Sequence, residues 1–98
     1  MVELISVDKD EIWCKITSTG KLTKAMIYEI ENLLDNNFVN QQQIFISLGK
    51  VSEINSDGVY GLREIIIKYY QSGSSVKFSS VYDNLQEIID YLTNASDG

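Results

Sequence analysis

The first restriction on chemistry in this 98-residue chain is that it contains no histidine. Histidine is the base in Ser-His-Asp and Cys-His nucleophile arrangements and a common zinc ligand. Cys14 is the one cysteine of the chain, so no internal disulfide is possible. It lies in the apolar stretch 12–16, and this position predicts a buried, inert thiol. We therefore expect no catalytic residue that works through an activated nucleophile.

Patterns that bind phosphate or metal are also absent from the sequence. Gly49-Lys50 is not the end of a P-loop, because no glycine lies five residues earlier and Val51 stands where Ser or Thr would follow. The apolar run 44–48 contains no aspartate, which argues against a receiver-like domain that accepts a phosphoryl group. We expect the following helical acids to be solvated: Glu29, Glu31, Asp35, Glu87 and Asp90. The chain is therefore expected to be no enzyme and to bind no metal or cofactor.

The remaining candidate is the turn Asn55-Ser56-Asp57-Gly58, which places an amide, a hydroxyl and a carboxylate before a helical pattern. Asn55 and Ser56 are both favourable N-cap residues. Asp57 would put negative charge in the first helical turn, where the helix dipole favours it. Gly58 permits close approach of another backbone. Residue types alone leave two interpretations open: an ordinary helix start, or a site that another protein contacts.

Apolar periodicity predicts the elements that position this turn. In chain order, the expected elements are strands over 2–7 and 11–17, a helix over 22–37, a strand over 44–48, a helix over 57–71, a strand over 75–78 and a helix around 85–92. We expect the strand 44–48 to be buried on both faces because it is continuously apolar. The order β-β-α-β-α-β-α predicts an α/β fold with a mixed, mostly parallel four-stranded sheet. The length predicts a single domain over 1–98.

The charge balance restricts the class of partner. The net charge is −6 and only eight residues are Lys or Arg. A nucleic-acid-binding protein usually carries a basic patch, because contacts to phosphates supply most of its affinity. We therefore expect no nucleic-acid partner. The acidity serves either solubility or the electrostatic choice of a protein partner.

The segment 44–62, with the sequence IFISLGKVSEINSDGVYGL, resembles the signature of STAS domains, a family that includes the bacterial anti-sigma factor antagonists. The family pattern is an apolar strand, a short loop, Asp-Ser-Ser/Thr-Gly, and a helix that opens Leu-Gly-x-x-Leu. Gly20-Lys21-Leu22 is similar to the Gly-x-Leu that follows the second strand of the family. The segment 73–78 is similar to the glycine and strand that follow the motif helix. The order of elements agrees over nearly the whole chain.

The resemblance implies a STAS-like regulatory module that binds proteins in transcription signalling. The first Ser of the family motif is the phosphoacceptor, and Ser56 occupies that position here. In the family, the anti-sigma factor is a serine kinase that phosphorylates the antagonist and thereby releases it. The implied partner is an anti-sigma factor or a related serine kinase. The residues expected to shape or contact the interface are Asn55, Asp57, Gly58, Val59, Tyr60 and Arg63.

Three positions depart from the family pattern. Asn55 replaces the motif Asp, Asp57 replaces the second Ser/Thr, and Ser47 replaces an acid often found in the preceding strand. The last strand and helix of longer members have no counterpart. A second hypothesis is therefore a constitutive, non-phosphorylated STAS subunit of a transporter or stress-signalling assembly. Under either hypothesis we expect a cytoplasmic monomer or weak dimer without membrane insertion.

Overall fold

The computed structural model describes residues 1–39 and 41–97. The elements are β1 (Val2–Val7), β2 (Glu11–Ile16), β3 (Gly20–Lys21), α1 (Lys24–Asn37), β4 (Gln43–Ser47), β5 (Val51–Glu53), α2 (Ser56–Tyr70), β6 (Val76–Ser79) and α3 (Asp83–Asp97). Four strands form one sheet in the order β1-β2-β4-β6. The pair β1–β2 is antiparallel and the other two pairs are parallel. The predicted α/β fold class with a mixed, mostly parallel four-stranded sheet is confirmed.

A second, two-stranded sheet adds to the predicted elements. It consists of β3 and β5, which run parallel. The backbone N–H of Gly20 donates to the Lys50 carbonyl over 3.1 Å, and that of Leu22 donates to the Glu53 carbonyl over 2.9 Å. Strands this short carry no apolar alternation, so their pairing is not visible in the sequence. Their pairing joins the segment before α1 to the segment that leads into α2.

The helices cover one face of the main sheet. Ile12, Cys14 and Ile16 alternate along β2 with Trp13 and Lys15, and only the first three are fully buried. Each helix contributes buried residues to the same cluster as these strand residues, so all three helices lie on that face. The helical members of the core are Met26, Ile27, Ile30, Leu34, Leu62, Ile65, Ile66, Tyr69, Leu85, Ile89 and Leu92.

The opposite face of the sheet has no helix of the described chain over it. Trp13 and Phe45 are partners in the β2–β4 register, and their rings stack with centroids 4.3 Å apart. Both side chains are half-buried, because each ring shields one side of the other. The expectation that the strand 44–48 is buried on both faces is therefore wrong at Phe45.

Helix α2 lies close against α1 because Gly61 has no side chain. A Cβ atom at Gly61 would lie 2.9 Å from Ile27 Cγ2, nearer than two carbon atoms approach in folded proteins. Ile27 is buried and β-branched, so its side chain has little freedom to turn away. The distance between the two helices is therefore set by the glycine.

A polar cluster joins the far ends of the same two helices. Asp35 Oδ1 accepts a 2.6 Å hydrogen bond from the Tyr69 hydroxyl and a 2.8 Å bond from Lys68 Nζ. These bonds, first that of Lys68 and then that of Tyr69, hold the pKa of the Asp35 carboxyl below its usual value. Tyr69 is 3% exposed, so the carboxylate satisfies a hydroxyl that would otherwise be buried without a partner.

Gly61→Ala should destabilise the protein by about 1 kcal/mol, because overpacking costs about 1–3 kcal/mol and outweighs the gain in helix propensity. In an Ile27→Ala background the clash is gone, so the same change should stabilise by about 0.5–1 kcal/mol. Urea unfolding of wild type, Gly61→Ala, Ile27→Ala and the double variant measures both effects. Stabilisation by Gly61→Ala in the wild-type background would show that the close approach has no energetic consequence.

Asp35→Asn should lower the free energy of unfolding at neutral pH by about 1 kcal/mol, because a charge-assisted hydrogen bond and an exposed ion pair are weakened. Since the folded-state pKa of Asp35 is depressed, its contribution is complete above the unfolded-state pKa. The contribution disappears as the pH falls through the folded-state pKa. The difference from wild type should therefore shrink below about pH 4 in urea titrations. Glu87→Gln, an exposed change on α3, is the control and should show no such convergence.

Candidate functional site

The turn that precedes α2 is held by the side chain of Asn55. Its backbone is extended (φ −90°, ψ −177°), and its Oδ1 accepts a 3.0 Å hydrogen bond from the Gly58 backbone N–H. The Asn55 carbonyl accepts the first helical bond, from Val59 N–H, over 2.9 Å. Asn55 is therefore the N-cap residue. Since an amide oxygen can accept this bond as a carboxylate does, Asn55 can hold the turn as an aspartate would.

Ser56 is the first residue of α2 and its side chain is exposed. Within the described chain, no side chain bonds to its hydroxyl. The Asp57 side chain is also exposed and belongs to the first turn of the helix. The unpaired N–H groups and the dipole of α2 favour negative charge here. The turn therefore presents a free hydroxyl beside a fixed carboxylate at the positive end of a helix.

Gly58 and Val59 serve the packing of the turn. Gly58 is buried, and a Cβ atom there would lie 3.0 Å from Ile54 Cγ2 and 3.3 Å from Leu22 Cδ2. Val59 is half-buried and packs against the core. Gly58 therefore allows close contact inside this chain, and its burial leaves little of it for a partner to touch.

Tyr60 and Arg63 lie on the outer surface of α2. Tyr60 is 65% exposed, and Arg63 is exposed too. They follow Ser56 by four and seven residues, so the three side chains share one stripe of the helix. The structure therefore brings the predicted residues Ser56, Tyr60 and Arg63 together on one accessible surface.

Two residues beside the turn are not predicted from the sequence. Asn84, in the first turn of α3, donates from Nδ2 to the Ser52 carbonyl of β5 over 3.1 Å. Tyr82, just before α3, is 46% exposed. The hydrogen bond from Asn84 to Ser52 places the start of α3 beside the strand that leads into the turn. Because the pairing spans 32 residues in sequence, no local pattern indicates it.

Other chemical candidates are less accessible. Cys14 is fully buried, and burial raises the pKa of its thiol to about 12, so it stays protonated at neutral pH.

Among residues 1–39 and 41–97, no group of three or more His, Cys, Asp and Glu side chains is placed to hold a metal ion. In the same residues, no helix has the length and apolar character needed to cross a bilayer.

Asn55→Ala should lower the free energy of unfolding by about 1 kcal/mol, because it removes the acceptor for the Gly58 N–H. Asn55→Asp should stay close to wild type, since the carboxylate oxygen can take the same bond. Urea unfolding measures both. Asn32→Ala, at an exposed position inside α1, is the matched control and should not destabilise. Equal effects at Asn55 and Asn32 would contradict the assignment of Asn55 as the cap.

Similarity to known proteins is limited to the fold. No protein-family model matches the chain, and a search of curated proteins finds no match. Among solved structures, a crystal structure of Mglu is similar, with a TM-score of 0.65 and 14% sequence identity. The similarity covers 85% of this chain and 20% of that one, so the chain spans about a fifth of the length of that structure. At this identity the likeness concerns the fold alone.

Proposed function

We propose that this chain is a regulatory protein-binding module that acts as bacterial anti-sigma factor antagonists of the STAS family do. It docks an anti-sigma factor or a related serine kinase through the start of α2, in the cytoplasm, and has no enzymatic activity of its own. One observation carries the proposal. Ser56 exposes its hydroxyl at the first position of α2, on a turn capped by Asn55 and beside the exposed Tyr60 and Arg63.

The chemistry of this surface suits a protein partner. Tyr and Arg are the residue types most enriched at energetic centres of interfaces, and here both project from a rigid helix. Ordered side chains on a helix lose less conformational entropy on binding than side chains on a loop. Ser56 would lie at the rim of this contact. The surface therefore combines two anchors with a hydroxyl that can be modified.

Phosphorylation of Ser56 supplies a switch. A phosphate adds close to two negative charges at neutral pH. The N–H groups at the start of α2 stabilise that charge locally. An acidic partner surface repels the phosphate, and an apolar one would have to desolvate it at a cost. Asp57 already carries a carboxylate beside the acceptor, so the modified turn is strongly anionic. Release of the partner follows from the charge added at the interface.

The alternative function is a constitutive STAS subunit of a transporter or stress-signalling assembly. The observation that favours it is the exposed Asp57, which keeps a permanent negative charge at the turn without any modification. Under this alternative the partner stays bound to α2, and no phosphorylation releases it. Ser56 then serves as an ordinary first-turn residue.

Intact-mass measurement after incubation with ATP and a candidate anti-sigma factor kinase tests the switch. We expect a single phosphate on wild type and none on Ser56→Ala. Ser56→Asp should weaken binding to the same kinase at least tenfold, or about 1.4 kcal/mol. Ser72→Asp, at an exposed serine beyond the other end of α2, is the matched control and should bind normally.

The docking surface is tested separately from the switch. Tyr60→Ala and Arg63→Ala should each weaken the same binding several-fold. If phosphate is absent and Ser56→Asp binds normally while these two variants bind weakly, the switch is wrong and a constitutive contact through α2 remains. Normal binding by all three variants would overturn the docking surface itself.

A further inference from the structure

Strand β6 forms an open edge of the main sheet. It is the last strand in the order β1-β2-β4-β6 and pairs only with β4 among the described strands. The carbonyls of Ser75 and Ser79 accept bonds from Ile44 N–H over 2.9 Å and from Leu48 N–H over 3.0 Å. Because main-chain groups alternate in direction along a strand, those of Val76 and Phe78 point away from β4. These two residues offer donors and acceptors to an additional strand.

A groove runs beside this edge, between β6 and α3, and reaches the end of α2. Its volume is about 890 Å³. The lining includes Ile66, Gln71, Ser74, Phe78, Gln86 and Asp90. The groove therefore offers apolar side chains and amide groups, and its two charged lining residues are Asp90 and Lys77. A groove of this size is large enough for a small molecule or a short segment of polypeptide.

Ser74 gives a second and independent indication of a ligand. It lines the groove and is 4% exposed, yet its hydroxyl has no hydrogen-bond partner in the described residues. Buried polar groups without partners are rare in folded proteins because each one is costly.

Charge argues against a second copy of this chain as the occupant. Helix α3 contains Asp83, Glu87 and Asp90 and has no Lys or Arg along its length. Two copies joined edge to edge through β6 would bring two such acidic helices together, where like charges repel. A basic segment is complementary to α3 and to a chain with net charge −6.

We propose that the β6 edge and the groove beside it bind an extended, basic peptide segment of a partner protein, which adds a strand to the sheet. Main-chain bonds to Val76 and Phe78 hold the peptide, while alternate side chains reach the apolar wall and the carboxylate of Asp90. This surface is independent of the one at Ser56. The 15 residues of α2 separate its two ends by about 21 Å.

The test uses amide hydrogen exchange measured by NMR on the whole chain. The probe is the blocked hexapeptide Lys-Val-Lys-Val-Lys-Val, titrated to millimolar concentration. In the free protein, the Lys77 and Ser79 amides should exchange slowly and the Val76 and Phe78 amides rapidly. Saturation with the peptide should slow exchange at Val76 and Phe78 at least tenfold. The same peptide with all of its backbone nitrogens methylated has no N–H donor for the edge and should bind at least tenfold more weakly.

Charge variants test the role of α3. Asp90→Asn removes the carboxylate charge but keeps an oxygen that can accept the 2.9 Å bond from Gln86. It should weaken binding of the basic peptide about threefold or more. Glu29→Gln, an exposed change on α1, is the matched control and should bind normally. Ser56→Asp should also bind the peptide normally, which separates this inference from the proposed function.

Several results would overturn the inference. The first is absence of exchange protection at Val76 and Phe78 with millimolar peptide. The second is equal binding of the methylated peptide, since the contact would then not be a strand pairing. The third is protection that grows with protein concentration alone, which would identify a second copy as the occupant. The fourth is a peptide footprint confined to the start of α2.

Discussion

The structure depends on one constraint, which is that the sheet buries a single face. Ile12, Ile16, Ile44 and Ile46 form a block of β-branched side chains across two central strands, and none is more than 1% exposed. Burial of such a block removes several hundred square ångströms of apolar surface from water, at about 25 cal/mol for each square ångström. All three helices lie on that face, so the other face stays open. Neither edge of the sheet is covered by a further strand of the described chain.

The position of α2 follows from this arrangement. The helix links the surface at Ser56 to the groove beside β6. Gly61 lets the helix approach α1 closely, and the bonds of Asp35 to Lys68 and Tyr69 hold its far end. Its first turn is held by the cap at Asn55. A helix held in the middle and at both ends presents its outer stripe with little conformational freedom. Its ends lie in different surroundings: a polar turn beside β5, and a groove beside β6.

Most of the fold and the local geometry of the turn can be predicted from the sequence, because both arise from short-range patterns. The apolar spacing of α2 and the cap at Asn55 depend on residues within a few positions. The rest depends on contacts between distant residues. Buried Gln42 donates to the Asp8 carbonyl and accepts a 2.7 Å bond from Val39 N–H, which joins two loops at one end of the sheet. A glutamine between other glutamines gives no sign of this, and the pairing of Asn84 with Ser52 is hidden in the same way.

The open face of the sheet has an optical consequence. Trp13 is the one tryptophan of the chain, stacked on Phe45 and hydrogen-bonded from its indole N–H to Glu11 over 3.2 Å. Its fluorescence therefore reports on the contact between the two central strands, on the side away from every helix. Separation of those strands changes the solvent around the indole, while a ligand on the helical side leaves the stacked pair intact. The protein thus carries a natural spectroscopic probe that distinguishes unfolding of its sheet from occupation of its helical surface.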